Sequence, residues 1–179
     1  MMPRRAFLKS SLILAAPALS IPAFAKTAQA APGERTLRLY NTHTGEKLST
    51  VFWAEGEFIP DAMKDINKVL RDHRSNKVAE MDPELMLLLT AVNAKMGNNK
   101  ELHIISGYRS PESNAKLHSA SGGVAKRSLH MEAKAIDIRI PGKDLKMLQR
   151  AALSIGGGGV GYYPDSQFVH MDTGRVRSW

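Results

Sequence analysis

Between Lys134 and Ile140 the chain reads KAIDIRI. Successive side chains of a strand point to opposite faces, so Ile136, Ile138 and Ile140 build one face and Ala135, Asp137 and Arg139 the other. A strand of this kind needs an apolar layer on one side and a different environment, a cleft, on the side that holds the carboxylate. The stretch FVHMD, Phe168 to Asp172, obeys the same rule. Its His170 and Asp172 share one face, and Val169 and Met171 share the other. If the two strands are neighbours, Asp137 meets His170, and His130 reaches both from the loop that leads into the first strand. Two imidazoles and one carboxylate leave a fourth tetrahedral position for water, the composition of a catalytic zinc site. Plainer readings also fit the spacing: a surface His130, an Asp137 paired with Arg109 or Arg139, and a structural, partly buried His170.

The rest of the chain supplies layers for such a strand. RTLRLYNTHTGEKLSTVFW, from Arg35, predicts a hairpin with its turn at Thr44-Gly45 and an exposed His43. Pro60 to Ser75 predicts a helix with Met63, Ile66, Val69, Leu70 and His73 on one side and Asp61, Lys64, Asp65, Lys68 and Asp72 largely elsewhere. Asp82 caps a second helix that opens at Pro83, carries Leu85, Leu88, Leu89, Val92 and Met96, and stops at Gly97. A short strand, Glu101 to Ser106, leads to a helix capped by Ser110. Asp144 to Ile155 is helical again. The glycine tract Gly156 to Gly159 reads equally as a flexible connector or as a place of close backbone approach. The order has too few alternating strand and helix units for a doubly wound sheet, so the expected class is α+β, a mainly antiparallel sheet packed with helices.

The chain has 179 residues, enough for one domain. Its opening, MMPRRAFLKSSLILAAPALSIPAFA, has a basic start, an apolar run and small residues at Ala23 and Ala25. This is the pattern of a cleaved secretory signal, too short for a lasting membrane span. Arg4 and Arg5, followed by Ala6, Phe7, Leu8 and Lys9, resemble the twin-arginine export motif, which implies the twin-arginine machinery as a partner and the periplasm as the destination. The expected organisation is a signal over residues 1–25, a spacer over 26–34 and a single domain over 35–179. Three of the 25 basic side chains and none of the 17 acidic ones lie in the leader, so the mature chain carries +5. This modest excess suits a polyanionic envelope polymer. No arginine-rich helix, zinc-finger cysteines or RNA-binding aromatic motif supports a nucleic-acid partner. With no cysteine, any metal must be held by nitrogen and oxygen.

The motif SLHMEAKAID, together with LYNTHTGE, ISGYRSPESN, GGVAKRSLH and GGVGYYPDSQFVHMDTGRVRSW, resembles the zinc D,D-peptidase superfamily. That group shares its fold with sonic hedgehog, and the closer likeness is to its murein endopeptidase K-like branch. The resemblance spans nearly all of the mature chain. It implies Zn2+ held by His130, Asp137 and His170, and a catalytic Arg109 that binds a peptide carboxylate or steadies an oxyanion. It further implies hydrolysis of peptide crosslinks in peptidoglycan. It does not distinguish D,D- from L,D-crosslinks. The family glycine three residues after the first histidine is Ala133 here, which costs about 1 kcal/mol if the position has positive φ and less if it only permits close approach. The glutamate that relatives carry three residues before the last histidine is Gln167, and an amide cannot take a proton from water. Asp172 is then the first candidate for the proton acceptor, or it orients His170 from behind; His118, Glu132 and Asp165 are weaker candidates. Tyr162 and Tyr163 either line the cleft, donating to peptide carbonyls, or pack as ordinary aromatics. The loss of the glutamate also admits a non-hydrolytic zinc protein that only binds peptidoglycan.

Overall fold

A computed structural model describes residues 33–121 and 123–179. The expected leader and most of the expected spacer lie outside these residues. Eight strands form one sheet in the order β3-β2-β1-β4-β5-β7-β6-β8. They are β1 Arg35–Asn41, β2 Lys47–Ala54, β3 Glu57–Phe58, β4 Leu102–Ser106, β5 Ala135–Arg139, β6 Gly159–Tyr163, β7 Phe168–Asp172 and β8 Arg177–Ser178. Five of the seven pairings are antiparallel, and β1–β4 and β6–β8 are parallel. The α-helices among the described residues are α1 Pro60–Val69, α2 Pro83–Lys95, α3 Pro111–Ser121 and α4 Leu145–Ile155. The α+β class and the mainly antiparallel sheet are therefore as expected. Among the described residues no helix is long and apolar enough to cross a membrane.

The core follows from the strand period. Ile136 pairs with Met171, Ile138 with Val169 and with Ile104, and Val160 with Met171, so one face of the sheet is continuously apolar and buried. Leu37, Leu39 and Leu102 extend that layer toward β1. Helix α1 packs on β2, α2 on β1 and α4, and α4 on β6 and β7. Their apolar stripes supply the facing layer: Ile66 and Leu70, then Leu85, Leu89 and Val92, then Leu148, Ala151 and Ala152. Burying each large aliphatic side chain contributes roughly 1.5–3 kcal/mol, so this double layer is the main stabilising feature. Asp82 caps α2 by accepting from Glu84 N at 3.0 Å, and Asp144 caps α4 by accepting from Met147 N at 2.8 Å.

The first helix departs from expectation. It ends at Val69 instead of running to Ser75, and Asp72, expected away from the core, is 1% exposed. Its carboxylate accepts from Arg74 N, Ser75 Oγ, Ser110 N and Ser110 Oγ at 2.7–3.0 Å. An aspartate that can collect four donors competes successfully with helical continuation. Burial works against its charged form, but the Ser113 and Ser110 hydroxyls and the backbone amides outweigh it and hold the carboxyl well below the usual range. The turn after α1 is thereby fixed to the start of α3, beside Arg109.

Candidate metal centre

Strand β5 lies beside β7, and Asp137 is the direct cross-strand partner of His170. The two sit on the sheet face opposite the isoleucines. His130 comes from a 3-10 turn, Leu129–Glu132, capped by the Ser128 hydroxyl and ended by Ala133 in the left-handed region at φ +56°. Ala133 N donates back to His130 O at 3.3 Å, and Arg109 N donates to the same carbonyl at 3.1 Å. The left-handed residue reverses the chain from the turn into β5. Of the two possibilities for the motif's altered glycine, positive φ is the one present.

The acceptors behind the two imidazoles fix their tautomers when the rings are neutral. His130 Nδ1 lies 2.7 Å from Gly107 O, a carbonyl that can only accept, so Nδ1 carries the hydrogen and Nε2 is a lone pair. His170 Nε2 lies 3.0 Å from Asp172 Oδ2, which leaves Nδ1 as the lone pair. These two nitrogens are 3.2 Å apart, and they lie 3.3 and 2.8 Å from Asp137 Oδ1. Three acceptors meeting in a buried place repel one another unless a cation sits among them. Adjacent ligands of a tetrahedral ion with bonds of about 2.0–2.1 Å stand about 3.3 Å apart, so the spacing fits such an ion closely. When a proton instead of a metal ion occupies this shared place, the imidazoles turn N–H and positive charge toward Asp137 and, against its burial, hold its carboxyl well below the usual range. Burial likewise opposes the charged form of His170, but Asp137 and Asp172 outweigh it and raise its pKa.

Asp172 lies on the far side of His170 from these acceptors. Its side chain is fully buried and accepts from Gly159 N at 3.1 Å, Gly174 N at 2.8 Å and both terminal nitrogens of Arg177 at 2.7 and 3.0 Å. The glycine tract is a place of close approach: a Cβ on Gly158 would overlap the Asp172 carbonyl, and one on Gly159 would overlap the Asp172 carboxylate and Arg177. Burial opposes the charge on Asp172, but His170, Arg177 and the two amides keep its carboxyl well below the usual range.

The centre opens into a cleft of about 400 Å3, on whose wall stand Arg109, Arg127, Tyr163, Phe168, Arg177 and Trp179. Arg109 has one terminal nitrogen 3.9 Å from Asp137 Oδ2, and long contacts of 3.4 Å to Asn114 Oδ1 and Ser106 Oγ. Its Nε is buried with no partner. Burial lowers its pKa, against the opposing charge of Asp137. The remaining candidates stand elsewhere. Gln167 is exposed in the β6–β7 turn with its amide donating to Pro164 O, Glu132 pairs with Lys134, His118 Nδ1 faces Val124 O at 2.6 Å, and Asp165 is exposed. Asp137 is the only carboxylate side chain on the cleft wall among the described residues. Tyr163 lines the cleft, whereas Tyr162 packs against the core under Lys146.

Two potential ligands from neighbouring strands and a third from the turn that leads into one of them, converging at the floor of an open, arginine-lined cleft, give the centre of a metal-dependent hydrolase. The profile of the peptidoglycan L,D-endopeptidase MepK family matches residues 29–179. The peptidoglycan L,D-endopeptidase MepK of Escherichia coli K12 is 40% identical over 176 residues, covering 98% of this chain and 96% of the relative. The probable peptidoglycan L,D-endopeptidase MepK of Haemophilus influenzae is 44% identical over 149 residues, covering 83% and 80%. No solved structure matches. The chain belongs to the peptidoglycan L,D-endopeptidase MepK family.

Proposed function

We propose that this protein is a periplasmic zinc endopeptidase that hydrolyses peptide crosslinks of peptidoglycan, of the L,D class that its relatives' names specify. The carrying observation is the convergence of His130 Nε2, His170 Nδ1 and Asp137 Oδ1 within 3.3 Å of one another on a cleft floor. Zinc suits this cysteine-free nitrogen and oxygen set, and when bound it supplies a polarised water at neutral pH and a Lewis acid for the carbonyl. A hedgehog and D,D-peptidase-like topology, the twin-arginine signal over residues 1–25 and the mature domain over 35–179 belong to the same reading.

The roles of the side chains follow from where they stand. Asp172 acts as a positioning residue and not as the proton acceptor. Its oxygens are occupied by Arg177, two amides and His170, and it faces away from the ligand cluster. Arg109, with an unpartnered Nε and only long contacts from its terminal nitrogens, is available for a peptide carboxylate or carbonyl. The cationic wall formed with Arg127 and Arg177 favours an acidic stem peptide.

Purified, crosslinked sacculi provide the test. Zinc-loaded protein is expected to convert crosslinked dimers to monomers, while zinc-depleted protein and His170→Ala leave them intact. Retention on sacculi without new products, even with zinc, would instead establish a binder and overturn the hydrolase reading.

A further inference from the structure

Strand parity places a third group of side chains on the metal face. Gly161 is the cross-strand neighbour of His170, and Tyr163, two residues on, projects from the same face beside Phe168. The Tyr163 and Phe168 rings stack with centroids 4.6 Å apart. Trp179 is laid across the same face. Its backbone is held on β6 by Tyr162 N donating to Trp179 O at 3.0 Å and by Trp179 N donating to Val160 O at 3.3 Å. Its ring centroid stands 5.3 Å from that of His170, with the Arg177 guanidinium 4.9 Å from the indole. Gly161 makes room for this: a Cβ there would come within 2.7–2.8 Å of both the Trp179 and Tyr163 rings.

The contact between these rings is directional. Trp179 Nε1, which can only donate, lies 2.7 Å from Tyr163 Oη. The phenol therefore accepts from the indole and keeps its own hydrogen for another partner. Accepting one hydrogen bond strengthens a hydroxyl as a donor. Among the described residues none accepts that hydrogen, and Tyr163 lines the cleft with Asp137, His130 and His170.

We infer that Tyr163 is a catalytic hydrogen-bond donor to the scissile carbonyl oxygen as negative charge develops on it, and that Trp179 is the positioning residue that aims and polarises it. This rests on the endopeptidase reading and adds to it a second donor beside the cleft cation. The stoichiometry is that of amide hydrolysis: the water oxygen bonds to the carbonyl carbon, the C–N bond breaks, and the new amine takes a proton from water. Tyr163 ends the cycle with its own hydrogen, because it stabilises charge without supplying the transferred proton. A donor of this kind acts more strongly on the charged oxygen than on the neutral carbonyl, so its removal falls on turnover more than on substrate binding.

The test uses the zinc-loaded mature protein and a soluble crosslinked muropeptide dimer. Tyr163→Phe keeps the stack on Phe168 and removes only the hydroxyl. It is expected to lower kcat by roughly 100-fold with KM changed less than about 3-fold. Its affinity for a phosphinate analogue of the crosslink, measured by calorimetry, should fall by a similar factor while affinity for the cleaved peptide is kept. Trp179→Phe should lower kcat by a smaller factor alone and by nothing further in the Tyr163→Phe background. A raised KM with kcat retained, undiminished binding of the analogue, or additive effects of the two substitutions would make the pair a mere wall and overturn the inference. A wild-type protein inert on the dimer would overturn the endopeptidase reading itself, whereas an active wild type with an unimpaired Tyr163→Phe variant would sink this proposal alone.

Discussion

At the scale of single residues, Asp172 and Ala133 show how much the metal centre depends on groups that touch no substrate. Asp172 gathers two backbone amides, one arginine and the His170 imidazole around two oxygens. An asparagine there has one acceptor oxygen for the same donors and turns an NH2 toward the rest. Asp172→Asn is expected to weaken zinc binding about 10–100-fold, as measured by competition with a chromogenic chelator. Arg177→Gln, which leaves the His170 contact in place, should weaken it less; equal losses would count against the positioning role. Ala133 costs about 1 kcal/mol for its left-handed backbone, but its methyl is buried in the core and recovers about 0.8 kcal/mol. That near balance explains how alanine is accommodated in a turn whose backbone favours glycine. The parity of KAIDIRI and FVHMD made Asp137 and His170 legible before any coordinates, because alternation is a local rule. The commitment of Asp172 to donors from the glycine tract and from Arg177 was not legible, because those partners are brought in by pairings of distant segments.

At the scale of elements, the turn between α1 and α2 carries the clearest stability consequence. Asp72 ties this turn to the first residues of α3 through Ser110 N and Oγ. Asp72→Asn faces its new NH2 against hydrogen-bond donors and should cost about 1–3 kcal/mol at pH 7, read from urea denaturation. The folded-state pKa of Asp72 lies below its unfolded value, so the carboxylate's contribution is fully present above the unfolded pKa of about 4 and fades as acid titrates the folded protein. The gap between wild type and variant should accordingly narrow at pH 3; a gap that widens there would show that charge is not the source. Caps and helix starts at Asp82-Pro83, Ser110-Pro111 and Asp144 were readable as punctuation. The early end of α1 was not, since the apolar spacing through Val69 and Leu70 continues to His73 and only the tertiary position of Ser110 reveals why Asp72 turns inward.

At the scale of the whole molecule, ion binding and folding are linked. The three candidate ligands come from β5, β7 and the turn after α3, segments far apart in sequence that a bound ion would tie together. An ion that binds only the native state adds about 4 kcal/mol when its free concentration is about a thousand times the dissociation constant. For a chain of this size that corresponds to roughly 8–16 °C in Tm. Removal of zinc with a chelator should lower Tm by that order in a calorimetric scan, and readdition should restore it; an unchanged Tm would mean that the native state holds no ion more tightly than the unfolded chain.

The ladder between β5 and β7 gives the ligands unequal freedom. Asp137 and His170 are spaced by the pitch of neighbouring strands, as unyielding as the sheet itself, whereas His130 rides on a short turn. A bound ion would pin the turn that follows α3, through His130, to two strands whose spacing is already set.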